Sequence, residues 1–237
     1  MRTRYYKKGG RLLDNSIRII PAVIDLETTG LSFIDNEILE IAIIPLDEKT
    51  LLPLQNKFTS YIIPDHPENI NKKALEINKI VIDDIPKELT KSAVKEDLKK
   101  WICSLDPDKK VKLKLIGHNI ISFDINFLKV WFNDRDKDNA CEYDKYFFYV
   151  ADDTMQWARL LKASKLINIK SCSLTNLIQY YNIPKDLPEH RAENDCLYTL
   201  EVYKKLVKSL KPSNIIKSIV IRLFNTLLIF FKIRKKE

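Results

Sequence analysis

Glycine is scarce in this chain of 237 residues: Gly9, Gly10, Gly30 and Gly117 are the only four. No pair of them has the spacing of G-x-G-x-x-G or G-x-x-x-x-G-K, so neither standard glycine-rich phosphate loop is present. Histidine is scarcer still. His66, His118 and His190 include no pair four apart, which excludes an H-E-x-x-H zinc site. Cys103, Cys141, Cys172 and Cys196 form no C-x-x-C pair. That argues against a zinc ribbon or a thioredoxin-like centre and for free thiols in a reducing compartment. The N-terminus is polar and basic rather than apolar, with no secretory signal, so the expected location is cytoplasmic.

What is present is a chain with 45% hydrophobic and 30% charged residues, the balance of a globular protein with one sizeable core. Its net charge of +8 suggests a nucleic-acid or membrane binder until it is located. Residues 1–18 carry +5 and residues 204–237 carry +9, so the body between them, residues 19–203, carries −6. The expected organisation is a basic N-terminal tail (1–17), an acidic folded domain (18–209) and a basic amphipathic C-terminal segment (210–237).

The pattern of the body predicts a mixed α/β domain. Apolar, β-branched runs at Ile19–Leu26, Ile38–Leu46 and Phe58–Ile63 predict three consecutive strands in an antiparallel meander. Helical periodicity follows at Asn71–Asn78 and Thr90–Leu105, then a strand at Val111–Ile116 and a helix at Phe123–Phe132. A charged loop is expected over Asp134–Asp144 and a fifth strand over Tyr146–Ala151. Helices are expected at Thr154–Ala163, after Ser173 to Tyr181, and after Pro188 to about Ser209. Trp101, Trp131 and Trp157 fall among apolar neighbours on these helices and read as core.

Acids stand where a core would be apolar. Asp25 and Glu27 end the first strand, and residues i and i+2 of a strand share a face. Two adjacent carboxylates repel each other unless a proton or cation lies between them. Asp124 falls in the first turn of a helix that follows Gly117-His-Asn, where an acid also complements the macrodipole. His190 and Asp195 stand five residues apart at the start of the last helix. A strand ending in solvent, a helix-start acid and an exposed histidine would each account for one of these elements alone. Together, Asp25, Glu27, Asp124 and Asp195 supply four hard oxygen ligands, the donors that suit Mg²⁺ or Mn²⁺ rather than zinc. Four carboxylates can hold two such ions about 3.5–4 Å apart, a geometry that serves in-line displacement at phosphorus.

These three segments, Asp25-Leu-Glu-Thr-Thr-Gly30, Gly117-His-Asn with Ser-Phe-Asp124, and His190-Arg-Ala-Glu-Asn-Asp195, resemble in order and spacing the three motifs of the DEDDh 3′–5′ exonucleases. That family includes the proofreading epsilon subunit of bacterial DNA polymerase III, ribonuclease T and oligoribonuclease. The resemblance implies an RNase H-like fold, a five-stranded mixed sheet flanked by helices. It implies a catalytic set of Asp25, Glu27, Asp124, His190 and Asp195, with the four acids holding two Mg²⁺ (or Mn²⁺) ions. His190 would be the general base, a role suited to a side chain whose reference pKa is about 6.5. Thr28, Thr29 and Leu31 would line the pocket for the terminal nucleotide, and Asn119 would lie near the substrate strand. One departure is visible. Three residues, Ile120, Ile121 and Ser122, separate Asn119 from Phe123-Asp124 where the commoner motif has two, which implies a longer loop.

The implied activity is release of nucleoside 5′-monophosphates from single-stranded or frayed 3′ ends of DNA. An exoribonuclease that trims RNA or degrades short oligoribonucleotides is the alternative. A non-catalytic docking module with the same fold is the second. Expected partners are nucleic acid with a 3′ end and a polymerase or other protein. Residues 215–233 are apolar at thirteen of nineteen positions. They could pack on the body or on a partner, or lie on a membrane surface.

Overall fold

The structure, a computed structural model, describes residues 17–133, 141–188 and 190–210. The two basic tails, apart from Ile17 and Leu210, and the 215–233 segment lie outside the described residues. No helix among the described residues is long and apolar enough to cross a membrane.

Among the described residues, the strands and α-helices follow in chain order: β1 (Ile17–Thr28), β2 (Ile38–Pro45), β3 (Phe58–Tyr61), α1 (Lys72–Asn78), α2 (Lys91–Ser104), β4 (Lys110–Gly117), α3 (Asp124–Trp131), α4 (Tyr143–Tyr146), β5 (Asp152–Asp153), α5 (Thr154–Ala163), α6 (Leu174–Tyr180) and α7 (Ala192–Ser209). The strands form one sheet in the order β3-β2-β1-β4-β5. The first three pair antiparallel, as a meander must, whereas β4 joins β1, and β5 joins β4, in parallel. Parallel pairing puts the C-terminal ends of β1, β4 and β5 along one edge of the sheet.

Strand parity divides the core. On β1, Ile20, Ala22, Ile24 and Leu26 turn to the face covered by α2 and α3, where they meet Val94, Leu98, Ile102, Phe127 and Leu128. Val23 turns to the opposite face, with Ala42, Ile44 and Ile116 beneath Ala192, Cys196, Leu200 and Tyr203 of α7. The far side of α7 buries Tyr198, Val202 and Leu206 against Ala158, Leu161, Leu177 and Ile178 of α5 and α6. Asp25 and Glu27 continue the Val23 parity and so emerge on the α7 side. β2 is buried along its whole length, as a strand with helices over both faces should be.

Local chemistry starts the helices where the sequence suggests. Thr90 Oγ1 accepts from the Ala93 N–H at 3.2 Å to cap α2. Asp153 Oδ1 accepts from the N–H groups of Met155 (2.9 Å) and Gln156 (3.2 Å) to cap α5. Trp131 is buried, and Trp101 and Trp157 pack at the margins of the core, in agreement with their reading. All four cysteines are free.

Two expectations are corrected. The fifth strand is not Tyr146–Ala151 but Asp152–Asp153. The preceding aromatics are drawn into the core under the sheet: Phe147 lies 5.3 Å from Phe132 and 4.7 Å from Tyr143, ring centre to ring centre. Tyr143–Tyr146 turns as a short helix, leaving only one bridge, Leu113 with Phe147, to the neighbouring strand. The last helix begins at Ala192, not directly after Pro188, because His190 takes a left-handed backbone with φ of 63° that no helix can continue.

Candidate functional site

The candidate site forms where the C-terminal ends of β1 and β4 meet the starts of α3 and α7. Asp124, the first residue of α3, is buried at 4% exposure although it is an acid. Glu27, His190 and Asp195 each bring a ligand atom to within 4.8 Å of the others, although they come from β1, the loop before α7 and α7 itself.

The electrostatics show how crowded these acids are. The Asp25 carboxyl is pushed well above the usual carboxylate range, first by burial and then by Asp124, Asp195, Glu27 and Glu40. Glu27 is raised to about 8, again chiefly by burial and next by Asp195, with Arg191 working the other way. Asp124 is raised to about 7 by burial, although N–H groups of its own residue and of Leu26 hydrogen-bond it and oppose the rise. Such a set of oxygen donors is poorly tolerated as anions and suits hard divalent cations, which would relieve the repulsion. The Cys196 thiol beneath them is also held well above its ordinary value by burial and by the same acids, which suppresses its reactivity.

The surrounding loops are braced. The Gly30 backbone runs so close to Asn36 that an added Cβ would sit 2.4 Å from Asn36 Oδ1. That side chain is itself held, accepting from Ser32 N–H at 3.0 Å and donating to the Asn69 carbonyl at 2.9 Å. Thr28 and Thr29 are buried. The Thr28 hydroxyl donates to the Gly30 carbonyl at 2.6 Å, and Thr29 Oγ1 accepts from the Glu37 N–H at 2.9 Å. Leu31 stands at the rim, 84% exposed.

The second loop departs from strand geometry at Asn119, which has a φ of 63°. A carboxylate from β5 pins it. Asp153 Oδ1 accepts from Asn119 N–H at 3.1 Å, and Asp153 Oδ2 accepts from Ile121 N–H at 3.3 Å. His118 lies behind, its Nδ1 2.9 Å from Thr154 Oγ1. Burial lowers its proton affinity to about 4, and Arg159 adds to the fall. This histidine is therefore a neutral structural group at ordinary pH.

At the third loop, the His190 N–H donates to Asp195 Oδ2 at 3.1 Å. Left-handed backbone at a residue with a side chain costs roughly 1–3 kcal/mol and persists only where neighbours enforce it. The adjoining residue, Arg191, is anchored to the sheet. Its Nε and Nη2 donate to Glu40 at 3.3 and 3.2 Å, and its guanidinium lies 5.4 Å from the Tyr61 ring centre.

All five acid and histidine positions singled out in the sequence thus lie around one edge of the sheet. Sequence reasoning assigned no role to Glu40, Arg191 or Asp153. The available signal for Glu40 was an acid inside the apolar run Ile38–Leu46, on a strand that proves wholly buried.

A five-stranded mixed sheet with carboxylates gathered at the C-terminal edge of its central strands defines the class of RNase H-like nucleases. Residues 22–203 match the model of the RNase T-type family described as "Exonuclease", and the chain belongs to that family. It is 29% identical over 208 residues to ribonuclease T of Wigglesworthia glossinidia brevipalpis, covering 81% of this chain and 86% of the relative. It is 25% identical over 222 residues to the PolC-type DNA polymerase III of Caldanaerobacter subterraneus subsp. tengcongensis, covering 89% of this chain but only 14% of the polymerase. Among solved structures, the fold is shared with E. coli exonuclease I in complex with a dT13 oligonucleotide, at a TM-score of 0.65 and 18% identity, over 89% of this chain and 44% of that one. It is shared also with the cell-death related nuclease 4, at 0.61 and 16%, over 81% and 64%.

Proposed function

We propose that this protein is a metal-dependent 3′–5′ exonuclease that releases nucleoside 5′-monophosphates from single-stranded or frayed 3′ ends. The observation that carries the reading is the convergence of Glu27, His190 and Asp195 to within 4.8 Å beside Asp25 and Asp124, whose charges each raise a neighbour's proton affinity. Asp25, Glu27, Asp124 and Asp195 would hold two Mg²⁺ or Mn²⁺ ions. Bound there, the cations would lower the pKa of a water and offset the charge that builds on the phosphate and the leaving 3′-oxygen. His190 would take the proton from that water as general base. Its exposure gives the imidazole access to solvent, and its backbone bond to Asp195 keeps it beside the acids. Leu31 would pack on the terminal base, with Thr28, Thr29 and Asn119 shaping the nucleotide pocket.

DNA is the preferred substrate, supported by fold neighbours solved with DNA oligonucleotides. The relative named ribonuclease T keeps RNA as the second reading. The match to a PolC-type polymerase supports a polymerase as partner. The test is a panel of end-labelled single- and double-stranded DNA and RNA oligonucleotides with Mg²⁺. A ladder shortening by one nucleotide from the 3′ end is expected, absent in Asp25→Asn and strongly slowed in His190→Ala. Undiminished hydrolysis in EDTA would overturn the proposal.

A further inference from the structure

The body of this protein is acidic, yet residues 154–185 hold five cations and not one carboxylate. This stretch runs from the end of β5 through α5 and α6 and borders an open groove of about 570 Å³, lined by Met155, Arg159, Lys162, Ser171, Cys172 and Ser173 among others. That volume falls within the ~300–1,000 Å³ of ordinary ligand pockets, room for a nucleotide unit rather than an ion alone. Arg159, Lys162, Lys165 and Lys170 are exposed. The Lys162 ammonium donates to the Lys170 carbonyl at 2.6 Å, a contact that fixes its position without neutralising it.

The groove is coupled to the candidate site by covalent and hydrogen-bonded structure. Asp153 accepts from the backbone of Met155, which lines the groove, and from that of Asn119 in the loop that leads to Asp124. β5 lies two strands from β1 in the sheet order, and both end on the same edge. Strands are spaced by about 4.8 Å, so the end of β5 lies about 10 Å across the sheet edge from the end of β1, and Arg159 and Lys162 stand one to two turns further along α5, at about 1.5 Å per residue.

We infer that the cationic groove between α5 and the loop of residues 171–173 that precedes α6 holds the phosphate backbone of the substrate strand upstream of the scissile end, through Arg159 and Lys162. This rests on the nuclease reading above and adds to it a second, non-catalytic anchor. Without cations the acidic edge repels a polyanion, and with them it engages only the terminal phosphate; this acid-free surface beside it supplies a further attraction. A terminal dinucleotide would be too short to reach it, whereas a strand of about a dozen residues would engage it.

The experiment compares the wild-type chain with the Arg159→Glu/Lys162→Glu double variant. The probes are fluorescein-labelled 12-mers of oligo(dT) and oligo(rU), with the corresponding dinucleotides. Binding of the 12-mers is followed by anisotropy in EDTA at several salt concentrations, and hydrolysis of both lengths is followed with Mn²⁺. The double variant is expected to bind the 12-mers at least tenfold more weakly. Its log-log salt slope should be shallower by about 1.4, the share of two single-strand phosphate contacts. KM for the 12-mers rises and dinucleotide turnover stays at the wild-type level, which also shows that the variant is folded. Wild-type 12-mer affinity and KM in the variant overturn the groove while leaving the exonuclease reading intact. Failure of wild-type protein to hydrolyse any probe overturns the reading beneath it. If dinucleotide turnover falls as much as 12-mer turnover, Arg159→Gln is measured instead, and equal loss on both lengths again refutes a length-dependent anchor.

Discussion

Replacing Glu27 by Gln is expected to make the metal-free protein more stable at pH 8, not less. Glu27 has a proton affinity raised from 4.5 to about 8, by burial first and by the charges of Asp195, Glu40 and Asp124 after it. The folded-state value lies above the unfolded one, so the favourable contribution is complete below about pH 4.5. It is lost as pH rises, because the unfolded chain ionises freely while the folded one must hold a proton or bear a crowded charge. At about 1.4 kcal/mol per unit, the loss is of the order of 3 kcal/mol at pH 7 and 5 kcal/mol above pH 8. Gln is neutral throughout and does not incur it. For a chain of this size, 3 kcal/mol corresponds to a Tm difference of about 6–12 °C. Thermal unfolding followed by circular dichroism in EDTA, from pH 5 to 9, reads this directly. Wild-type Tm should fall from pH 5 to 8 while that of the variant stays flatter, the two curves crossing. With Mn²⁺ the order reverses at pH 8, because the wild type gains a ligand-bound state that the variant forms poorly. A Glu27→Gln protein that melts below wild type at pH 8 in EDTA would refute the reasoning that the acids are crowded for want of a cation.

Further outcomes follow from other contacts. Arg191→Ala leaves the buried Glu40 carboxylate without its guanidinium; a loss of about 1–3 kcal/mol is expected, with calorimetry showing partial recovery in Arg191→Ala/Glu40→Gln. Asp195→Asn weakens the bond that holds the His190 N–H and is expected to lower kcat at least 100-fold, read by single-turnover hydrolysis. Gly30→Ala forces the Asn36 amide out of its two bonds, with an expected cost of about 1–3 kcal/mol and a lower activity, both checked on one preparation. Leu98→Ala, at a fully buried position on α2, which carries none of the candidate site residues, should cost about 2–5 kcal/mol in denaturant unfolding while leaving kcat unchanged.

Much of the architecture was legible because it repeats a period. The β1 and β2 runs, the α2 stripe of Val94, Leu98 and Ile102, and the α5 boundaries at Thr154 and Ala163 follow from alternation, helical spacing and capping. The error at Tyr146–Ala151 has a definite cause. An aromatic run has strong strand propensity, and here its rings were claimed by the core around Phe132 instead. The position of His190 in sequence is compatible with a helix start; its left-handed φ, and the hold of Glu40 on the adjoining Arg191 from 151 residues away in the chain, are visible only in the folded structure.

Residue type and order alone determined the chemistry on offer: four oxygen ligands, one histidine and no glycine-rich phosphate loop. Parity alone put Asp25 and Glu27 on one face of a strand. Only the tertiary structure decided that β4 would lie parallel to β1, so that Asp124 is buried beside that strand's end, and that α7 would cross the same face to bring Asp195 and His190 to Glu27. The physical reason is that local periodicity reports which side of an element is buried, whereas the partner of that side is chosen by burial of the whole core. The charge shows the same division. The net +8 can be read from composition, but the cationic groove beside an acidic edge exists only because α5 and α6 fold back over α7.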